Sequence, residues 1–149
     1  MPAECPYFDT SYLVRLYLDD HGSQQVRAHA GACQSIASAW HAQAEVVAAL
    51  HRVFRERRME PEAFRAALDQ FSQDCKAGLF QWLPLTDGIQ QKLAQFFRDA
   101  PRTAFIRAAD ALHLACAVEY GCAEVYSHDR HFLAAAPLFE LRGINIIPE

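Results

Sequence analysis

No uninterrupted apolar run in this chain of 149 residues approaches the length of about 20 that a membrane-spanning helix needs. The opening stretch MPAECPYFDT has no basic segment leading into an apolar one, so the reading is of a soluble, cytoplasmic protein with no membrane partner. Cysteine is scarce and unpatterned: Cys5, Cys33, Cys75, Cys116 and Cys122 are odd in number, widely spaced and free of any CxxC pair. That excludes a disulfide framework and suits a reducing compartment, where such thiols serve mostly as small core residues. Positive charge is in deficit, 14 Lys and Arg against 18 Asp and Glu, for a formal net charge of −4. The chain therefore lacks the broad basic surface of a DNA-coating protein, and any contact with nucleic acid must be local. Internal repeats and low-complexity tracts are missing too, which excludes a repeat architecture.

What is present is hydrophobic content of 52%, in a length suited to one domain over residues 1–149 that buries about two thirds of its unfolded surface. Short β-like runs alternate with longer helical ones. Pro6-Tyr7-Phe8 reads as the end of a buried strand, followed by a helix from Ser11 to the break at Asp19-Asp20-His21-Gly22 and a short helix from Ser23 to about His29. Cys33 to Ala37 is a weaker strand, and Ser38 is expected to open a long helix carrying Glu45, Val46, Leu50, Val53 and Phe54. Pro61 starts the next helix, which Gly78 ends; Leu79 to Leu85 is a strand, and Thr86 and Asp87 offer caps for a helix closed by Pro101. A helix from about Phe105 to Tyr120, a strand Ala123 to Ser127, a helix Arg130 to about Leu138 and a strand Ile144 to Ile147 complete the chain. This alternation predicts an α/β protein, a three-layer α/β/α sandwich around a mainly parallel sheet of about five short strands with right-handed crossovers.

In such a sheet the ligand site lies beyond the carboxyl ends of the strands. Asp9 directly follows Phe8, and Asp129 follows the run Val125-Tyr126-Ser127 by one residue, so topology alone carries both to that edge. Glu45 is the only charge in the stretch from Ala42 to Leu50, and Asp110 shares a helix face with His113 and Leu114 among residues fit for burial. A carboxylate on a mostly buried helix is costly to ionise unless a partner or a metal compensates it. Each acid also has a plainer role open to it: Asp9 and Asp129 as helix caps, Glu45 as a solvated residue, Asp110 as the partner of Arg107.

Phe8-Asp9-Thr10-Ser11, Ala44-Glu45-Val46, Asp110-Ala111-Leu112-His113-Leu114-Ala115 and Ser127-His128-Asp129-Arg130, in this order, resemble the acidic motifs of PIN-domain nucleases, especially the VapC-type toxins of toxin-antitoxin operons. The resemblance covers essentially the whole chain. It implies a Mg²⁺- or Mn²⁺-dependent endoribonuclease acting on RNA, inhibited by a small antitoxin protein and commonly a homodimer. It places the metal-binding and catalytic acids at Asp9, Glu45, Asp110 and Asp129, with Ser11 and Ser127 as polar supports. Ser127 and His128 stand where the family more often has Thr and a variable residue.

Other residues carry less. Arg102 and Arg107, near the start of the Asp110 helix, are candidates to hold phosphate, and the run Arg52, Arg55, Arg57, Arg58 is a solvated helix end that could do the same. His128 and His131 have no Cys pair to complete a zinc set and read as surface or substrate-edge residues; His113 reads as a hydrogen-bonded core histidine. Trp40 and Trp82 are most simply core. Two other functions share the fold class. An aspartyl-nucleophile phosphatase would use Asp9, but that chemistry usually wants a second Asp two residues on, where Ser11 stands. A non-catalytic RNA- or protein-binding module has no need of four acids.

Overall fold

The computed structural model describes residues 5–149. Five strands, β1 (Tyr7–Phe8), β2 (Ile36–Ala39), β3 (Phe80–Leu83), β4 (Glu124–Tyr126) and β5 (Arg142–Ile144), form one sheet in the order β3-β2-β1-β4-β5. All four pairings are parallel, with Tyr7 in register with Ala37 on one side and Val125 on the other. Among the described residues seven α-helices accompany them: α1 (Thr10–Leu13), α2 (Ser23–Gly31), α3 (Ala42–Arg55), α4 (Pro61–Lys76), α5 (Asp87–Asp99), α6 (Ala108–Glu119) and α7 (Arg130–Ala135). The predicted sandwich is therefore the observed one.

The sheet has a core on each face, because alternate side chains of a strand point to opposite sides. Tyr7, Ala37, Ala39 and Val125 join Leu114, Ala115, Ile89 and Phe132 on the α5, α6 and α7 side. Phe8, Ile36 and Phe80 join Val26, Val46, Leu50 and Phe71 on the side of α2, α3 and α4. With only two residues, β1 still contributes two of the largest fully buried side chains, one to each core. It is the central strand, and residue 9 leaves it at the middle of the sheet's carboxyl edge.

Three local expectations are corrected. Ser38 does not open a helix: it lies within β2, fully buried, with its hydroxyl donating to the Phe8 carbonyl at 2.7 Å, and α3 begins only at Ala42. Serine satisfied itself inside the sheet instead of capping. The last strand is Arg142–Ile144, not Ile144 to Ile147, since the turn before it is made by Glu140 at φ 60°. Gly143 sits in the strand because a Cβ there would come within 2.9 Å of the Leu133 side chain. Trp40 is 60% exposed at the end of β2, whereas Trp82 does pack against the core.

Gly22, at φ 85°, caps α2, and a Cβ on it would meet the side chain of buried Ile147 at 2.5 Å. Gly22→Ala combines left-handed backbone with overpacking and is expected to cost about 2 kcal/mol or more in urea unfolding. An unchanged midpoint would mean that the closing segment does not pack there in solution.

Candidate acidic active site

Four stretches of chain meet at the carboxyl edge of the sheet, and Asp9, Glu45, Asp110 and Asp129 all line one cavity of about 710 Å³. Asp9 turns out of β1 in extended conformation and caps α1, accepting the Tyr12 amide at 3.2 Å. Its two oxygens are also held by hydroxyls: Ser11 Oγ donates to Oδ1 at 2.6 Å and Ser127 Oγ to Oδ2 at 2.5 Å. The same two serines accept the amides of His128 and Asp129, each at 2.9 Å, and so fasten the loop after β4 to the loop after β1. Asp9 is only 5% exposed, and burial pushes its carboxyl up to about 6 against the lowering effect of the Ser11 and Ser127 hydroxyls.

Asp110 lies in the first turn of α6, and Asp129 caps α7 by accepting the amides of His131 at 2.8 Å and Phe132 at 3.3 Å. Burial, then the neighbouring charge of Asp129, raise the Asp110 carboxyl, while Arg107 and His113 oppose the rise. Arg107 stands between the two acids, 3.9 Å from Asp110 and 3.7 Å from Asp129, with its own side chain 64% exposed. An exposed cation thus sits where two carboxylates face each other.

Glu45, in the first turn of α3, is engaged differently. Its Oε1 accepts from Thr10 Oγ1 at 2.9 Å and lies 2.7 Å from His113 Nε2. Burial raises the Glu45 carboxyl, but the bond and charge of His113, with help from Thr10 and His41, outweigh it and hold the group below its ordinary value. His113 is 2% exposed, and its Nδ1 is 2.7 Å from the Tyr7 hydroxyl, so it is a hydrogen-bonded core histidine as expected.

No three of the four acids approach as closely as one ion's ligands: among the described residues, the donor set whose atoms all lie within 4.8 Å of one another is His41, Glu45 and His113. The acids surround the cavity. That arrangement fits a hard cation such as Mg²⁺, which keeps several waters and takes only one or two carboxylates directly. It also fits the electrostatics, since the raised Asp110 carboxyl gains from any cation beside it.

The cavity has a basic rim. Arg52 and Arg55 reach it from α3 and Arg58 from the turn that follows, joined by Arg107 and by buried Arg15, which donates to the carbonyls of Ser11 and His21. Arg58 is paired with Glu56, but Arg52 and Arg55 have no acidic partner within 4.0 Å among the described residues. Arg102 is exposed and does not line the cavity. Sequence reading missed Thr10 and His41. Thr10 adjoins the Asp9 motif, and His41 stands four residues before Glu45, the spacing that puts two side chains on one helix face. His131 packs its ring against exposed Phe105 beside the site, and His128 contacts Asn145.

The family model for the PIN domain matches residues 7–137 of the chain. Among solved structures the fold is similar to that of VapC20 of Mycobacterium tuberculosis, described as a sarcin-ricin-loop-cleaving toxin, with 18% identity and a TM-score of 0.65 over 91% of this chain and 98% of that one. Comparison with curated proteins gave no match.

Proposed function

The chain belongs to the PIN-domain family, and from that premise we propose that it is a metal-dependent endoribonuclease, the toxin component of a type II toxin-antitoxin system. One observation carries the proposal: four acids from four separate segments line a single cavity with an arginine rim. Asp9, Asp110, Asp129 and the outer oxygen of Glu45 are the groups that would hold Mg²⁺ or Mn²⁺. When bound, that ion supplies an acidified water and stabilises charge on the scissile phosphate.

The remaining work falls to the chain. Ser11 and Ser127 fix the Asp9 carboxylate by donating to its two oxygens, so its lone pairs face the cavity without side-chain rearrangement. Thr10 and His113 immobilise Glu45 in the same way. Arg107 offsets the charge of Asp110 and Asp129 and is exposed enough to swing onto a phosphate when the acids are otherwise compensated. Arg52 and Arg55, lacking acidic partners, supply the local positive charge that an overall acidic chain needs to hold an RNA backbone. Exposed Phe105 and Trp40 offer ring faces on which an unstacked base can rest. The phosphatase alternative loses ground here, since both oxygens of its would-be nucleophile are tied to serine hydroxyls.

The likeness to VapC-type toxins extends the proposal to a small antitoxin protein as partner, a homodimer as the assembly and the cytoplasm as the location. Among the described residues no helix is long and apolar enough to cross a membrane. The direct test offers a sarcin-ricin-loop RNA and an unstructured RNA to the protein with Mg²⁺, with Mn²⁺ and with EDTA. Cleavage is expected with either metal and none with EDTA; RNA left intact under every condition, or cut equally in EDTA, would sink the reading.

A further inference from the structure

One buried ring is unaccounted for by the acidic cavity. Both nitrogens of His41 are sealed from solvent, and neither has a hydrogen-bond partner among the described residues. The Ala109 backbone is close enough to favour the protonated ring, and Glu45 Oε1 is 3.3 Å from Nε2, but neither completes a well-formed hydrogen bond. Polar atoms left dry in this way are destabilising, so their placement asks for a reason.

The surroundings supply one. His41 and Glu45 are four apart at the start of α3 and share a face, while His113 reaches in from α6 with its Nε2 2.7 Å from the same Glu45 oxygen. The two imidazole rings are 4.4 Å apart. Ligands about 2.0–2.1 Å from a common ion stand about 3.0–3.4 Å from one another, and the observed separations of 2.7 and 3.3 Å lie close to that. The outer support is already built: His113 Nδ1 meets the Tyr7 hydroxyl at 2.7 Å, and that hydroxyl is itself fixed by the Ala39 amide at 3.2 Å. Metal-bound histidines are ordinarily steadied through the second nitrogen in this manner.

We propose that His41, Glu45 and His113 form a binding site for a borderline divalent ion such as Zn²⁺, adjoining the acidic cavity and drawing Glu45 away from it. Two imidazole nitrogens and one carboxylate select Zn²⁺ or Co²⁺ over Mg²⁺, which prefers oxygen throughout. Glu45 and His113 also line the acidic cavity, so an ion held by the three residues would border it and could take water or phosphate from it. The chain thereby holds two sites for different metals that share one carboxylate, and filling the nitrogen-rich one inhibits. Binding is independent of the ribonuclease reading; the inhibition rests on it.

The test titrates untagged, metal-free protein with Zn²⁺ alone by calorimetry, and with Co²⁺ followed by its visible absorption. One ion per chain is expected, with intense Co²⁺ bands that Zn²⁺ bleaches. His41→Ala should weaken Zn²⁺ binding at least about tenfold and Tyr7→Phe about tenfold. Thermal unfolding checks that each variant folds, and His41→Gln takes over if the alanine variant does not. A parent that binds no Zn²⁺, or folded His41 variants that bind it as tightly as the parent, overturns the site. In an RNA-cleavage assay with Mn²⁺, added Zn²⁺ should inhibit the parent and spare His41→Ala; equal inhibition overturns the withdrawal of Glu45. Zn²⁺ binding by a protein that cuts no RNA counts against the ribonuclease reading and leaves the site standing.

Discussion

Asp110→Asn is expected to slow RNA cleavage by about 10³-fold or more, equivalent to about 4 kcal/mol of transition-state stabilisation, with the fold intact. The substitution keeps the shape and removes only the charge, at a residue on the first turn of α6 that is half-buried and caps nothing. Its carboxyl is raised by burial and by Asp129, which means that its ionised form is uncomfortable in the absence of a cation. A bound cation relieves that discomfort, so Mg²⁺ should raise the parent's thermal midpoint and raise that of Asp110→Asn less. Single-turnover cleavage with Mg²⁺, read beside thermal unfolding with and without the ion, separates lost chemistry from lost structure. Cleavage within tenfold of the parent would remove Asp110 from the site.

Asp9→Asn is expected to destroy activity and yet to stabilise the metal-free protein above pH 6. Burial places the folded carboxyl at about 6, above its ordinary value of 3.8, so between these values the folded state holds a proton that the unfolded chain has released. The stability tied to that proton is fully present below pH 4 and is lost as pH rises through 6. The difference of about two pKa units corresponds to about 3 kcal/mol. Asparagine imitates the neutral carboxyl and has nothing to lose on that rise. In urea unfolding with EDTA, the variant should match the parent near pH 3 and exceed it by about 2–3 kcal/mol at pH 8. A parent that gains on the variant as pH rises would show that the donated hydrogen bonds of Ser11, Ser127 and Tyr12, and not burial, govern Asp9. The pattern expected here is a site whose charge is held in place at the expense of stability, as functional groups often are.

Both variants act on acids that were visible in the chain as a string of letters. The alternation of short apolar runs with helical periods was enough to predict a parallel sheet between helices, because burial on both faces leaves a local imprint at every strand. Asp9 and Asp129 were legible for a related reason: residues just past the end of a parallel strand lie at the carboxyl edge. Glu45 and Asp110 were legible as charges out of keeping with their neighbours, and the ordered motifs named the family. Where local signals competed, reading by pattern slipped. Ser38 has the chemistry of a helix cap, but the sheet claimed it.

The joining of these residues belongs to the tertiary structure alone. Ser127 reaches Asp9 across 118 positions and Thr10 reaches Glu45 across 35, through crossovers whose register no local pattern encodes. Arg107 was an i−3 neighbour of Asp110 in sequence, but only the fold sets it between Asp110 and Asp129. His113 was readable as a core histidine, and His41 attracted no notice; only the fold, by bringing the start of α3 and the first turns of α6 to the same edge of the sheet, closes them around one oxygen of Glu45. Sequence determined which carboxylates arrive at the sheet edge, because strand and helix periods are short-range properties. The fold decided which of them is buried, which faces arginine and which is held by histidine, because those depend on contacts between elements far apart in the chain.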